Sequence, residues 1–252
     1  MLTQINGLHH VTSMASDAQT NNDFFNKTLG LRRVKKTVNF DAPEVYHLYY
    51  GDEIGTPGTV MTYFPFPGMS PGRPGTGEVS VTAFSVPRDS LRYWEGRLAG
   101  EGVEGLRPET GFGEQRLYFK GPDGDSFALI EGDDPRTPWT TDDVPAEVAI
   151  RGFHSVRQRL SDMGPTAELL KFMGYEEQAR EGDVTRFVRP GGNAANVVEI
   201  DEQPGTIAHE QGAGSVHHVA FAVDDRAAQD EVRAALVAEG FDVTQSIDRD
   251  YF

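Results

Sequence analysis

No cysteine occurs among the 252 residues, which excludes disulfides, thiolate metal ligands and a cysteine nucleophile. Basic residues are scarce: 23 Lys and Arg stand against 39 Asp and Glu, a formal net charge of −16 at pH 7. Nucleic acid is therefore not an expected partner, because phosphate recognition depends on clustered cations. No window holds the roughly 18 apolar residues of a membrane span. The opening MLTQINGLHH also lacks the basic segment and apolar run of a secretion signal. The expectation is a cytoplasmic protein with no membrane partner. At 38% hydrophobic and 25% charged residues, the chain has an ordinary globular composition and the length for a sizeable core in one or two domains. Without thiolates, any metal must rest on His, Asp and Glu, donors that suit Fe(II), Mn, Ni or Zn.

What is present is a repeated histidine doublet. Residues 7–11 read GLHHV and residues 214–223 read GSVHHVAFAV. With the period of a strand, the second stretch puts His217, Val219, Phe221 and Val223 on one face and His218, Ala220 and Ala222 on the other. One imidazole above two small side chains leaves room for a ligand beside a metal. A single doublet would suit a buried strand whose histidines are satisfied by hydrogen bonds. Two doublets near opposite ends of the chain point to one site assembled from both.

The chain also repeats a strand, a helix, a glycine stop and further strands. The first unit opens at GLHHVTSMA, its helix is capped by Asp17 or Thr20 and stopped by Gly30, and its later strands fall near 44–50 and 59–64. The second opens at EVSVTAFSV, with a helix near 89–99 and a stop at Gly102. The third opens at GFHSVRQRL, with a helix near 166–172 and a stop at Gly174. The fourth opens at GSVHHVAFAV, with a helix from about 226 to 238 stopped by Gly240. From the key first-strand position to the stop, the spacings agree: His10 to Gly30, Val81 to Gly102, Ser155 to Gly174 and His218 to Gly240 span 20, 21, 19 and 22 residues. The Pro- and Asp-rich stretch through 136–145 reads as a linker, dividing an N-terminal domain 1–135 (modules one and two) from a C-terminal domain 146–252 (modules three and four).

This pattern, with GLHHVT, YHLYYGD, GTPGTVMTYFPFPG and GSVHHVAFAVDD, resembles the vicinal-oxygen-chelate (glyoxalase/bleomycin resistance/extradiol dioxygenase) superfamily, and within it the ring-cleaving, hydroquinone-type dioxygenases. The resemblance implies an α+β fold of four βαβββ modules paired into two open barrels, with the fourth module incomplete in this chain. In that superfamily each module offers a ligand position on its first strand and another on its last. Those first-strand positions are His10 and His218 in modules one and four, and Val81 and Ser155 in modules two and three. Counted from the glycine of a PDG-like turn, the last-strand positions are Ala128 in module two and near Asn196 in module three, with Thr62 in module one. One barrel is thus expected to hold a metal through His10 and His218, which requires module one to pair with module four, while the other barrel is vacant. A third ligand, a Glu by resemblance, would fall at about position 265, past Phe252, so the natural chain is expected to continue.

The resemblance implies a non-haem Fe(II)-dependent, extradiol-type ring-cleaving dioxygenase acting on a hydroquinone or catechol with dioxygen, with Mn, Ni or Zn as alternative metals. His9 is a candidate acid or base, Arg249 a candidate anchor for a phenolate, and Tyr251 a candidate wall of the same mouth. By strict alternation His9 and His217 point away from the metal. His47 reads as a cavity-wall or core residue, His154 as structural and His209 as exposed. Glu131 and Glu199 read as strand ends away from the ligand positions. The alternatives are a glyoxalase-like lyase or isomerase, expected to place a carboxylate where Thr62 stands, and a non-catalytic small-molecule (drug) binding protein, expected to have an apolar pocket without a metal. A homodimer is compatible with exposed barrel edges.

Overall fold

The computed structural model describes residues 1–247. Module one comprises β1 (Leu8–Ala15), α1 (Ala18–Asp23) continued by a π-type turn (Phe24–Thr28), β2 (Arg32–Val38), β3 (Tyr46–Gly51) and β4 (Val60–Pro65). Module two follows as β5 (Glu78–Val86), α2 (Leu91–Gly100), β6 (Arg107–Gly111), β7 (Glu114–Lys120) and β8 (Ser126–Glu131). Module three comprises β9 (Gly152–Leu160), α3 (Gly164–Phe172), β10 (Glu176–Glu181), β11 (Val184–Val188) and β12 (Val197–Glu202). Module four contributes β13 (Val216–Phe221) and α4 (Arg226–Ala238).

Local chemistry sets the punctuation. Asp17 caps α1 by accepting from the Thr20 backbone N–H, and Asp225 caps α4 through Ala228 in the same way. The four helix-stopping glycines, Gly30, Gly102, Gly174 and Gly240, all lie at positive φ, between 69° and 90°, where a side chain would be strained.

The strands form two sheets. One has the order β13-β1-β4-β3-β2 and the other β10-β11-β12-β9-β5-β8-β7-β6, so each sheet draws strands from both halves of the sequence. Module one joins module four through the antiparallel β1–β13 pair, and module two joins module three through β5–β9. These registers are equivalent. Val11 faces Val219 at the centre of the first junction, and Thr82 faces Val156 at the centre of the second.

A continuous core joins both sheets to the helices. Val11, Phe25, Phe84, Trp94, Phe127, Phe153 and Val198 are among its fully buried members, and Trp94 satisfies its indole N–H on the Val148 carbonyl at 2.8 Å. The segments before β5 and before β13 clasp each other: Arg73 N–H donates to Glu210 O at 2.9 Å and His209 N–H to Thr76 O at 3.0 Å. Residues 136–145 lie against the body of the protein, where Arg136 donates to Gly58 O and Phe153 O, and Val144 is buried. Among the described residues, no helix is long and apolar enough to cross a membrane.

Candidate functional site

β1 and β13 bring the two doublets together. His10 pairs in register with Ala220 and His218 with Thr12, so the two histidines sit diagonally across the junction, with Nε2 atoms 3.1 Å apart. The small side chain of Ala220 opposite His10 leaves the space between the rings open. Two nitrogen ligands in cis positions on one metal, with bonds of about 2.1 Å, lie about 3 Å apart, which is the spacing found here. Burial, reinforced by the neighbouring imidazoles of His218, His9 and His47, pushes the His10 pKa down to about 3. His10 is therefore neutral at ordinary pH, with a lone pair available for coordination. This donor set fits a borderline divalent metal. Among the described residues no three His, Asp or Glu side chains are arranged to hold one metal ion together, so the ligands the described residues offer are these two imidazoles.

The leading histidine of each doublet has a definite place. The β1–β13 register shifts between Leu8 and His10, a bulge at His9 that breaks strict alternation. His9 consequently lies beside His10, with Nδ1 atoms 3.0 Å apart, and burial lowers its pKa. His217 repeats the contact, its Nδ1 lying 2.9 Å from that of His218, and its ring stands edge-on to Phe64. The expectation that both first histidines point away is thus corrected: each touches the Nδ1 of its neighbour and leaves Nε2 facing the centre.

Behind the imidazoles runs a buried chain of hydroxyls and rings. Thr12 Oγ1 lies 3.0 Å from His218 Nε2 and 2.7 Å from Thr62 Oγ1. Thr62 in turn contacts His47 Nε2 at 3.0 Å, and the Tyr49 hydroxyl meets His47 Nδ1 at 2.7 Å. Sequence reasoning saw His47 only as a wall residue. The signal available was period two on β3, which aligns His47 with Tyr49 on the face that Thr62 presents on β4. Arg249 and Tyr251 lie outside the described residues. His154 contacts Ser155 and Glu114 in the second barrel, and His209 is partly exposed in the clasp.

The second barrel carries a different interior. By register, the partner of Thr62 in module one is Thr12, two residues past His10. Two residues past Ser155 is Arg157, which pairs with Glu199. Glu199 therefore occupies the last-strand ligand position of module three, in place of the expected Asn196, while Ala128 holds it in module two as expected. No imidazole faces this carboxylate. Arg116, Arg157 and Arg186 surround it instead, donating at 2.8, 2.7 and 2.8 Å. Burial alone would raise its pKa, but the three guanidiniums overcome that and hold it down to about 2.

Comparison with known proteins agrees with this architecture. Residues 7–129 match the model of the glyoxalase/bleomycin resistance protein/dioxygenase superfamily. MhqO of Bacillus subtilis, named as a ring-cleaving dioxygenase, is 39% identical over 98% of this chain and 78% of its own length. A chlorohydroquinone/hydroquinone 1,2-dioxygenase of Sphingobium indicum is 39% identical over 98% of this chain and 78% of its own. A solved Bacillus subtilis structure named as a dioxygenase superposes with a TM-score of 0.94 at 37% identity, covering 99% of this chain and 80% of that one. Glyoxalase I from Zea mays shares the fold, with a TM-score of 0.67 at 16% identity over 92% of this chain and 79% of its own. With the modules, the paired histidine strands and these relatives in agreement, the chain belongs to the glyoxalase/bleomycin resistance protein/dioxygenase superfamily, on its ring-cleaving dioxygenase branch.

Proposed function

We propose that this chain is an Fe(II)-dependent, extradiol-type ring-cleaving dioxygenase acting on a hydroquinone or catechol. The observation that carries the reading is the approach of two imidazole nitrogens to 3.1 Å from opposite ends of the chain, in a protein whose 39%-identical relatives are named as a ring-cleaving dioxygenase and a chlorohydroquinone/hydroquinone 1,2-dioxygenase. His10 and His218 would hold the iron, which supplies a common site where a substrate oxygen and dioxygen meet and exchange electrons.

The chain's own groups do the rest. His9 and His217 fix the rings of their neighbours through Nδ1. Thr12 and Thr62 link His218 to the His47–Tyr49 pair and hold that imidazole against the centre. His9, whose pKa burial lowers, would be the neutral proton acceptor for a substrate hydroxyl held in the same cluster. Arg249 and Tyr251 would anchor the ring from the segment that follows. Thr62 favours this reading over a glyoxalase-like isomerase, which needs a proton-transferring carboxylate where that hydroxyl stands.

The test is anaerobic reconstitution with Fe(II), followed by metal analysis and oxygen uptake with hydroquinone and catechol. Stoichiometric iron and substrate-dependent oxygen consumption, both lost in His10→Ala and His218→Ala, are the expected results. Tight Zn or Ni with isomerase activity and no oxygen uptake would establish the glyoxalase-like alternative. Small-molecule binding that survives loss of both histidines would establish a non-catalytic binding protein.

A further inference from the structure

The barrel formed by modules two and three keeps a cavity of about 340 Å³ on its concave side, within the size range of small-molecule sites. Its walls occupy the positions that form the metal centre in the other barrel. By the β5–β9 register Val81 corresponds to His10, and Arg157, which faces it, to Ala220. Tyr118, opposite Ala128, corresponds to Tyr49, opposite Thr62. Arg107, Lys120 and Arg159 complete a basic rim in a chain whose net charge is −16.

Around Glu199 three guanidiniums, Arg116, Arg157 and Arg186, face two carboxylates, Glu114 and Glu199, a local excess of one positive charge; nearer the rim the balance reverses, Arg159 meeting both Glu78 and Asp201, and Asp201 itself lines the cavity. Arg116 is 2% exposed, Arg186 5% and Glu199 1%, so water screens this excess poorly. Three buried polar atoms here, Arg116 Nε, Arg186 Nε and the Tyr118 hydroxyl, have no hydrogen-bond partner among the described residues. Arg157 connects the excess to the cavity, since it both holds Glu199 and lines the wall. At the rim Arg107 lies over the Tyr118 ring, 4.5 Å from its centroid, and pairs with the half-exposed Glu109, while Lys120 Nζ donates to the neutral oxygens Gly124 O and Ser126 Oγ. Arg159 is already engaged by Glu78 and Asp201.

A cavity whose wall carries Arg107, Lys120, Arg157 and Arg159 against the one carboxylate of Asp201, with Val81, Tyr118 and Phe119 beside them, selects an anion with an apolar body. We propose that the second barrel binds a small organic carboxylate, using arginine where its twin uses a metal. The site is independent of the dioxygenase reading, because it needs neither histidine doublet.

Calorimetric titration of the full chain with benzoate, adipate and inorganic phosphate at about 0.15 M salt tests this. One saturable site for an organic carboxylate is expected, with a Kd below about 1 mM. The rim variant Arg107→Ala/Lys120→Ala should weaken it at least about 10-fold by removing charge-assisted contacts. Val81→Phe should abolish it by filling the cavity, and His10→Ala/His218→Ala should leave it within about 2-fold. No saturable binding, phosphate binding as tight as the carboxylates, indifference to the rim and Val81 variants, or loss only in the histidine variant would each overturn the proposal.

Discussion

Removing one negative charge from the second barrel tests its energetics directly. In Glu199→Gln the shape is nearly unchanged, but three guanidiniums lose the carboxylate they share. Two routes give the magnitude. Breaking a buried ion pair by deleting one partner costs about 3–5 kcal/mol, since the remaining charge stays desolvated. Independently, the Glu199 pKa lies at about 2 in place of 4.5. At about 1.4 kcal/mol per pH unit that difference is worth about 3 kcal/mol. Because this pKa is depressed on folding, the stabilisation is complete above the unfolded-state value and is lost as pH falls through the folded one. It should shrink from about 3 kcal/mol at pH 7 to about 1.4 kcal/mol at pH 3. Equilibrium urea unfolding reads this as a fall of about 1 M in midpoint at neutral pH, for a slope of about 3 kcal/mol per molar. A shift below about 0.2 M, or one that does not narrow with acid, would refute the claim that the arginines depend on this carboxylate.

Three further outcomes follow from other parts of the molecule. Burial raises the Asp125 carboxyl to about 7 even though it accepts from the Tyr63 hydroxyl, so the folded state binds the extra proton and stability falls as pH rises through that range. Asp125→Asn, which retains the Tyr63 contact, should gain thermal stability relative to the parent, and gain clearly more at pH 8 than at pH 5; a difference independent of pH would contradict this. Gly75→Ala places a Cβ 2.4 Å from Ile207 O and 2.5 Å from His209 N, atoms of the clasp. A loss of about 1–3 kcal/mol is expected, with faster amide exchange at Thr76 and His209, and unchanged exchange there would show that the clasp absorbs the strain. His217→Phe removes the contact on His218 Nδ1, the nitrogen facing away from the proposed metal, and metal titration should report an affinity lower by about 10- to 100-fold with secondary structure intact; unaltered affinity would show that this contact does not orient the imidazole.

Much of the architecture was legible in the sequence because punctuation is local. Four glycines at matching distances from four strands mark helix ends whatever the rest of the chain does, and all four adopt the left-handed backbone that a glycine stop requires. The convergence of residues 10 and 218 followed from asking which modules retain histidine. What stayed hidden depends on register. Counting from the glycine turn reaches Asn196 in module three, but residues 193–195 are taken up in holding module one: Asn193 donates to Leu8 O, and Ala195 O accepts from Leu8 N–H. The strand therefore begins later, and Glu199 arrives at the ligand position. The bulge that turns His9 toward its neighbour is likewise a property of the β1–β13 pairing. Arg116 and Arg186 sit on short strands, and nothing local in the sequence marks them as buried; the closure of the barrel does that.

The two barrels reach electrostatic balance by different routes on one backbone plan. In the first, the inward positions carry His10, Thr12, Tyr49, Thr62 and His218, with no carboxylate or guanidinium among them, and burial keeps His10 neutral at pH 7 with a lone pair to offer a cation. In the second, the equivalent positions hold a carboxylate and guanidiniums, and Glu199 is neutralised by side chains alone. A divalent ion could enter there only by displacing Arg157 from Glu199 and leaving Arg116 and Arg186 uncompensated, a cost of several kcal/mol before any coordination gain. Histidines restored at Val81 and Ser155 would therefore face a carboxylate already engaged. The arginines around Glu199 thus oppose a divalent ion in that barrel as much as the absence of imidazoles at positions 81 and 155 does, and its basic lining suits the proposed anion where the proposed site of its twin suits a cation.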